Sequence, residues 1–392
     1  MAKVKLSKFL IDVFLCSLSA YGGPEAHYGV FSSQLVKKHH YLTDEELTEL
    51  IGVHTLVPGP SSTQTITAIG YLVGGPLYAF LAFIVWALPA ILMMSGLGLI
   101  IGLIPQDSEW QKILTYLPSA AIGFIFYAAI MIAKKVLKHP QDFLIFGLVT
   151  LLGYFIVGFS LWLIPVLLIA AGLVRMLPHI KEKGEEKVTE KPHWWLLFIV
   201  VALAITNEII IAFVDVPLLN LYASFYRYGY SVIGGGQVVI PLMIRDLVQG
   251  QSLITLNDFL SGYAIDQAIP GPLFSFASYI GSRTMVGSPF AFLAGILGGI
   301  SIFLPGILLV FFVFPLWKSY RKVPQIKYLL EGITLGAAGM ILMTAINQVP
   351  TLGFNVDRWI VALAVLLLLT TKKVPAPLLI LAAMLLGFII YH

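Results

Sequence analysis

The sequence predicts an all-α integral membrane protein in which two copies of one helical unit lie in opposite orientations. Three observations support this fold class. The 392-residue chain is 58% hydrophobic and 11% charged, with a mean hydropathy of +0.91, whereas roughly a quarter of the residues in soluble domains are charged. Long apolar runs recur along the chain, and several short motifs occur twice. Soluble globular classes are therefore excluded.

The apolar runs have the length and character of membrane-crossing helices. A helix needs about 20 apolar residues to cross a hydrocarbon core of about 30 Å. Strands of outer-membrane barrels instead alternate polar and apolar residues over about ten positions, and these runs do not alternate. We expect long spans at 76–104, 114–135, 142–159, 160–177, 193–214, 289–315, 328–347, 357–371 and 375–391.

An internal repeat divides the chain into two halves. It predicts an N-terminal repeat at 1–178, a charged linker with one extra helix at 179–217, and a C-terminal repeat at 218–392. Three pairs of motifs share one constant offset along the chain, and a fourth pair has a slightly larger offset. The pairs are YGGPEAH (21–27) with IGGGQVV (233–239), YLTDEEL (41–47) with LITLNDF (253–259), HTLVPGP (54–60) with DQAIPGP (266–272), and ALPA (87–90) with FLPG (303–306).

Basic residues orient the two halves, because short loops rich in Lys and Arg stay in the cytoplasm. With a cytoplasmic N-terminus, all the basic loops fall on one side. Span 76–104 then runs outward, its mate 289–315 runs inward, and span 193–214 inverts the second half. We expect a multi-pass protein of the inner, or plasma, membrane. The basic residues used are Lys3, Lys5, Lys8, Lys134, Lys135, Lys138, Lys318, Arg321, Lys322, Lys327, Lys372 and Lys373.

Pro-Gly-Pro occurs at 58–60 and at 270–272, inside segments apolar enough for a membrane. Proline removes a backbone donor and glycine weakens a helix, so each motif predicts a break between two half-length helices, which in the first half are 43–54 and 61–75. Inverted repeats with broken helices near the midplane are typical of secondary transporters. The second helix offers free amides and the positive end of its dipole, which suit an oxyanion. A plain hinge is the alternative.

The residues around the breaks form the predicted substrate site. In the second half, the helix after the break is expected to start at Pro272. The glycine-rich turns YGGP and IGGGQ supply a second pair of breaks, where backbone amides can approach a ligand. The candidate binding residues are Gly22, Gly23, Pro24, His27, Pro58, Gly59, Pro60, Ser61, Ser62, Thr63, Gln64, Gly234, Gly235, Gly236, Gln237, Pro270, Gly271, Pro272 and Ser275.

Ionisable residues within apolar segments are costly, and they are functional candidates for that reason. His54 and Asp266 stand at equivalent positions, four residues before the first proline of each motif. We expect them, together with Glu25, to carry coupling protons, and a helix-end hydrogen bond is the alternative. Arginine binds oxyanions in bidentate fashion, although interfacial arginines also serve as anchors. The candidate cations are Arg227, Arg245 and Arg283.

Other kinds of chemistry are not indicated. The chain has no Walker loop, GxSxG or HExxH motif, so we expect no enzyme, no cofactor and no metal. The net charge of +4 lies in the loops rather than on one basic face, which excludes a nucleic-acid partner. The acidic stretch TDEEL is expected to begin a helix with Thr43 as its N-cap, and Glu208 is expected to be a structural polar contact.

Four longer stretches carry the repeated motifs: FLCSLSAYGGPEAH and YLTDEELTELIGVHTLVPGPSSTQTITAIGY in the first half, and YSVIGGGQVVIPLMIRDLV and LITLNDFLSGYAIDQAIPGPLFSFASYIG in the second. They resemble the chromate ion transporter family over nearly the whole chain. The resemblance implies a long-chain, two-domain member that exports chromate as an antiporter driven by the proton-motive force, and so confers chromate resistance. The family's glutamine before Pro-Gly-Pro is retained as Gln267, a further binding candidate, whereas His54 and Thr55 replace it in the first half.

Several functions stay open at the level of the sequence. Chromate is a tetrahedral dianion close to sulfate in shape and charge, so a site made of amides and hydroxyls would also bind sulfate or another oxyanion. An anion channel on the same scaffold is an alternative. A membrane-embedded enzyme or a lipid flippase would need a groove open to lipid and a catalytic dyad, for which the sequence offers no pair beyond His54 and Asp266. A homodimer is common among carriers of this architecture.

Overall fold

The structure, a computed structural model, describes residues 4–54, 57–105, 107–156, 163–182, 194–231, 239–320 and 324–391. Within these residues every regular element is helical, which confirms the predicted all-α class. The α-helices are α1 (Leu6–Ser19), α2 (Pro24–Phe31), α3 (Asp44–His54), α4 (Ser61–Gly74), α5 (Pro76–Leu103), α6 (Leu117–Val136), α7 (Pro140–Ile156), α8 (Leu163–Met176), α9 (Trp194–Phe213), α10 (Pro217–Ser231), α11 (Val239–Met243), α12 (Leu256–Ala268), α13 (Phe276–Thr284), α14 (Ala291–Tyr320), α15 (Pro324–Gln348), α16 (Val356–Thr370) and α17 (Ala376–Tyr391).

Five helices are long and apolar enough to cross a membrane: α5, α6 with the turn before it, α9, α14 and α15. Four other expected spans are shorter helices in the described residues, since α7, α8, α16 and α17 have 17, 14, 15 and 16 residues. Prolines lie at or just beyond the ends of three of them, Pro140, Pro178 and Pro377, and proline fits the first turn of a helix but not its interior. α16 and α17 nonetheless coincide with the expected runs 357–371 and 375–391. α7 and α8 cover the described parts of the expected runs 142–159 and 160–177, and residues 157–162 between these two helices lie outside the described part of the chain.

The order of elements in the first half returns in the second. α1 to α8 are followed by α9 alone and then by α10 to α17. Each half has a π-helical turn, at Ser32–Lys38 and at Ile244–Gly250, and the two turns are separated by the same offset as the motifs. The starts of α3 and α12 are separated by this offset too. The repeat of motifs in the sequence is thus accompanied by a repeat of helices.

The helices before the two breaks, α3 and α12, begin with equivalent N-caps. Oγ1 of Thr43, the predicted N-cap, accepts a hydrogen bond from the Glu46 amide at 3.1 Å, and the Glu46 carboxylate accepts one from the Thr43 amide at 2.8 Å. Thr255 Oγ1 accepts from the Asp258 amide, also at 3.1 Å. Such caps satisfy free amides of the first turn. The start of each helix that leads into a break is therefore fixed by local contacts.

The two halves interleave. The long helices α5 and α14 contact each other, and both half-length helices, α4 and α13, pack against the two of them. Farther out, α7 and α8 of the first half pack against α15 of the second, and α16 of the second half packs against α6 of the first. One buried core includes Trp86 and Tyr116 together with Phe274 and Phe303. The halves therefore form one packed unit around α4, α5, α13 and α14.

Helix α9, which connects the halves, lies at the periphery. Only 17% of its most apolar stretch is buried within the protein. Phe198 and Phe213 are exposed. It contacts α10 and α14 along one side. A helix with apolar side chains on its outer face is suited to contact lipid, as expected for a membrane protein.

Candidate functional site

The first Pro-Gly-Pro break joins α3 to α4. α3 ends at His54 and α4 begins at Ser61, as predicted. Gly59 between them has φ +122°, a backbone conformation that only glycine adopts readily. A Cβ atom on Gly59 would lie 2.8 Å from Cα of Gly306 and 2.9 Å from Nε2 of Gln64. Both the backbone conformation and the close packing therefore require glycine here.

The second break has the same geometry and contacts the opposite long helix. Gly271 has φ +127°, and a Cβ atom on it would lie 2.6 Å from Cβ of Ala90. Ala90 follows Pro89 inside α5, just as the contact residue of the first break, Gly306, follows Pro305 inside α14. Each break thus packs against the long helix of the other half, beside its internal proline.

The first turn of α4 carries polar side chains at positions 61–64, all of which are buried. Two of them contact α2. Nδ1 of His27 lies 2.9 Å from Oγ of Ser62, and the hydroxyl of Tyr28 donates a hydrogen bond to Oγ of Ser61 at 2.9 Å. α2 therefore covers the amino end of α4.

Helices α5 and α14 hold the other two polar side chains of this turn. Nε1 of Trp86, in α5, donates to Oγ1 of Thr63 at 3.2 Å. Nε2 of Gln64 donates to two carbonyl oxygens, that of Pro58 at 2.8 Å and that of Gly306 in α14 at 3.1 Å. Gln64 therefore ties the break of its own half to the long helix of the other half.

The amino end of α4 has donors available for a ligand. Its N-cap is Pro60, whose side chain offers no acceptor. The first amides of a helix have no partner within the helix and carry the positive end of its dipole. Two buried ring nitrogens around the break, His27 Nε2 and His54 Nδ1, also lack a hydrogen-bond partner among the described residues. Gln64 Oε1 lacks one too, but an amide oxygen only accepts hydrogen bonds and does not bind an anion. When His27 accepts the Ser62 proton at Nδ1, its Nε2 carries the ring proton and is a donor.

In the second half, a side chain of the protein occupies the corresponding helix end. The carboxylate of Asp266 accepts hydrogen bonds from the Ser275 hydroxyl and from the Phe276 amide. α13 begins at Phe276, after a 3-10 turn over Leu273–Ser275, so the α-helix starts later than the expected Pro272. The 3-10 turn brings the hydroxyl and the amide to the carboxylate, which is the physical reason for the difference.

Comparison with known proteins identifies the family. The sequence profile of the chromate transporter family matches residues 7–176 and again residues 219–388. The chain belongs to the chromate transporter family. The starts of the two family matches, and likewise their ends, are separated by the same offset as the motifs. The resemblance that the motifs indicate is therefore confirmed, and the family is one of transporters.

Relatives in the chromate transporter family align with nearly the whole chain. An uncharacterized transporter of Methanocaldococcus jannaschii is 24% identical over 389 residues, covering 97% of this chain and 94% of the relative. A chromate transport protein of Cupriavidus metallidurans is 26% identical over 379 residues, covering 95% and 90%. One of Pseudomonas aeruginosa is 25% identical over 390 residues, covering 95% and 90%. No solved structure gives a significant match.

Two of the three predicted cations of this chromate transporter family member are paired with acids. Nε of Arg227 lies 3.1 Å from Oε1 of Glu208, so Glu208 is a counter-ion as well as a structural contact. Nη2 of Arg283 lies 2.8 Å from Oδ2 of Asp258. Arg245 lies in the π-helical turn after α11. The described side-chain contacts at the amino end of α4 are with neutral groups and include none of these arginines.

The remaining candidates are spread over both halves. Gly22 and Gly23, with φ +79° and +96°, join α1 to α2, and Pro24 is the first residue of α2. Gln267 is buried in α12, and its Nε2 has no hydrogen-bond partner in the described part of the chain. Glu25 lies in α2, and its side chain is outside the described part of the structure. Also outside the described residues are Thr55, Leu56, Gly234, Gly235, Gly236 and Gln237.

Sequence reasoning missed three residues that contact the first turn of α4 or its break: Tyr28, Trp86 and Gly306. Tyr28 and Trp86 lie in segments rich in apolar residues, and no spacing marks them. Gly306 had a signal, because it ends the FLPG motif that pairs with ALPA. Both motifs have a small residue directly after the proline, and small residues mark places where two membrane helices approach closely.

Proposed function

We propose that this member of the chromate transporter family is a secondary active carrier that exports chromate, and that the anion binds at the amino end of α4. The observation that carries the proposal is the first turn of α4, where free amides lie beside buried donors. Chromate needs several donors around a tetrahedron, and a helix amino end supplies them as backbone amides. Relatives named chromate transport proteins support chromate as the substrate.

The contacts between the halves support alternating access. The break at Gly59 lies against α14, and the break at Gly271 lies against α5. A movement of one half therefore displaces the long helix that contacts the site in the other half. We propose that the repeats at 1–178 and 218–392 are inverted in the membrane, and that their relative movement opens the α4 site to each side in turn.

Protons are the proposed coupling ion, and the proposed location is the inner membrane with a cytoplasmic N-terminus. His54 and Asp266 support coupling because both are buried next to a break, with exposed fractions of 1% and 4%. Glu25, in the helix that covers the site, is the third candidate. Protonation of His54 or Asp266 changes the charge beside one of the two breaks, and an antiporter requires such a link between protonation and the anion site.

The proposal is tested by transport into everted membrane vesicles. Vesicles that contain the protein should accumulate labelled chromate against its gradient when respiration makes their lumen acidic, and a protonophore should abolish the accumulation. Vesicles from cells with the empty vector are the control. Uptake that only equilibrates chromate, with no response to the protonophore, would contradict the carrier and indicate an anion channel.

Sulfate is the second candidate substrate. Its shape and charge match those of chromate, and the donors around α4 are amides and hydroxyls that both anions accept. In the same vesicles, unlabelled sulfate should compete with chromate if one site serves both. Accumulation of sulfate without any accumulation of chromate would assign the carrier to sulfate.

A further inference from the structure

The two helix ends at the breaks differ in one buried residue. His54 and Asp266 occupy equivalent positions at the ends of α3 and α12, each four residues before its Pro-Gly-Pro motif. Both are almost fully buried. One side chain is an imidazole and the other is a carboxyl group, so the pseudo-symmetric sites carry different functional groups.

The hydrogen bonds of Asp266 and His54 differ as well. Asp266 accepts hydrogen bonds from the hydroxyl of Ser275 and from the amide of Phe276, the first residue of α13. The residue equivalent to Ser275 in the first half is Thr63, and its Oγ1 accepts from Trp86 instead. The carboxylate thus lies where a helix amino end binds an anion. At α4, the residue in the equivalent position is His54, whose Nδ1 has no partner within the described ranges.

We propose that the carboxyl group of Asp266 occupies the amino end of α13, so that each chain binds one oxyanion, at α4, and none at α13. This inference rests on the proposed function, in which an oxyanion binds at α4. The Ser275 hydroxyl and the Phe276 amide already donate to the carboxyl group, so a second anion at α13 would have to displace it and leave a buried polar group without a partner, which is unfavourable. Asp266 therefore makes the carrier asymmetric despite its repeat.

The first test places the aspartate of the second half at the equivalent position of the first half. Sulfate is titrated into the purified full-length chain in detergent and the heat is measured. The wild type should bind one sulfate per chain. His54→Asp should place a carboxylate at α4 and bind sulfate at least about tenfold more weakly than His54→Asn, the matched uncharged variant of the same shape. Equal affinities of the two variants, whether high or absent, would overturn the inference, as would two sulfates per wild-type chain.

The second test replaces the tethered carboxylate by a free one. Asp266→Ala should lower the melting temperature, and sodium formate should restore part of the loss because formate fits the vacated position. Sodium gluconate, a carboxylate too large for that position, should not. Equal effects of the two salts would overturn the inference. If Asp266→Ala does not fold in either salt, the comparison of His54→Asp with His54→Asn decides.

The two proposals fail in different ways. A wild-type chain that binds neither sulfate nor chromate would contradict the proposed function, while rescue by formate would still support the role of Asp266 at α13. A wild-type chain that binds one oxyanion, together with equal affinities of the two His54 variants, would show that a carboxyl group at this position does not exclude an anion, and it would overturn only the inference about α13.

Discussion

Substitution of Gly59 by alanine tests whether the first break must hold its present shape. Two effects add in this variant. A non-glycine residue at φ +122° costs about 1 to 3 kcal/mol in backbone strain. The new Cβ atom, 2.8 Å from Cα of Gly306, meets backbone rather than a flexible side chain, and such overpacking costs about 1 to 3 kcal/mol more.

Together these effects give Gly59→Ala a destabilisation of about 2 to 6 kcal/mol, unless the break moves away from α14. Either outcome displaces the first turn of α4, and small displacements of a binding group lower rates by orders of magnitude. Chromate uptake into everted vesicles should therefore fall at least about tenfold per molecule of protein in the membrane.

Two other glycines separate strain from packing. Gly75 has φ +84° but no described atom within 4 Å of a new Cβ, so Gly75→Ala carries only the strain. Gly52 lies inside α3, and its added Cβ would likewise meet no described atom within 4 Å, so Gly52→Ala should stabilise the helix by roughly 0.5 to 1 kcal/mol. Thermal unfolding in detergent and vesicle uptake are measured for all three variants. Uptake by Gly59→Ala equal to that of Gly75→Ala would refute the reasoning.

Three further variants test individual contacts. Ser62→Ala removes the partner of His27 Nδ1, which fixes Nε2 as the donor toward the anion. A hydrogen bond to a charged group contributes about 1.5 to 3 kcal/mol, so sulfate affinity by calorimetry should fall about 10- to 150-fold, and an unchanged affinity would remove His27 from the site. Thr43→Ala removes the N-cap of α3. It should lower the free energy of unfolding by about 1 kcal/mol and leave the KM for chromate unchanged. A changed KM would show that the start of α3 affects the site. Glu208→Gln leaves Arg227 without its counter-ion. It should lower the free energy of unfolding by up to about 1 kcal/mol and leave the KM for chromate unchanged. A changed KM would indicate that Arg227 contacts the anion.

The local features of the fold were predictable because proline, glycine and capping residues act within a few positions of themselves. Thr43 marks the start of α3, and the Pro-Gly-Pro motif marks its end and the start of α4 at Ser61. At Pro272 the motif again marks the end of the break, but the turn after it is 3-10 and the α-helix begins only at Phe276. In this turn the Ser275 hydroxyl donates to Asp266, nine residues earlier. Nothing in the sequence near Pro272 indicates that contact.

The partners across the site were not predictable from the sequence because they join distant parts of the chain. Gln64 donates to a carbonyl 242 positions away, and Trp86 donates to Thr63 across 23 positions. The acidic partners of the arginines were not predictable either. Arg227 pairs with Glu208, and Arg283 pairs with Asp258. Which charged groups meet depends on helix packing, and neither composition nor spacing determines it.

The most direct test of the central claim is a structure of the protein with chromate bound, determined by electron cryomicroscopy in lipid nanodiscs. The account predicts density for one anion per chain at the first-turn amides of α4, within hydrogen-bonding distance of His27. Density beside Arg227, Arg245 or Arg283, with nothing at α4, would contradict it.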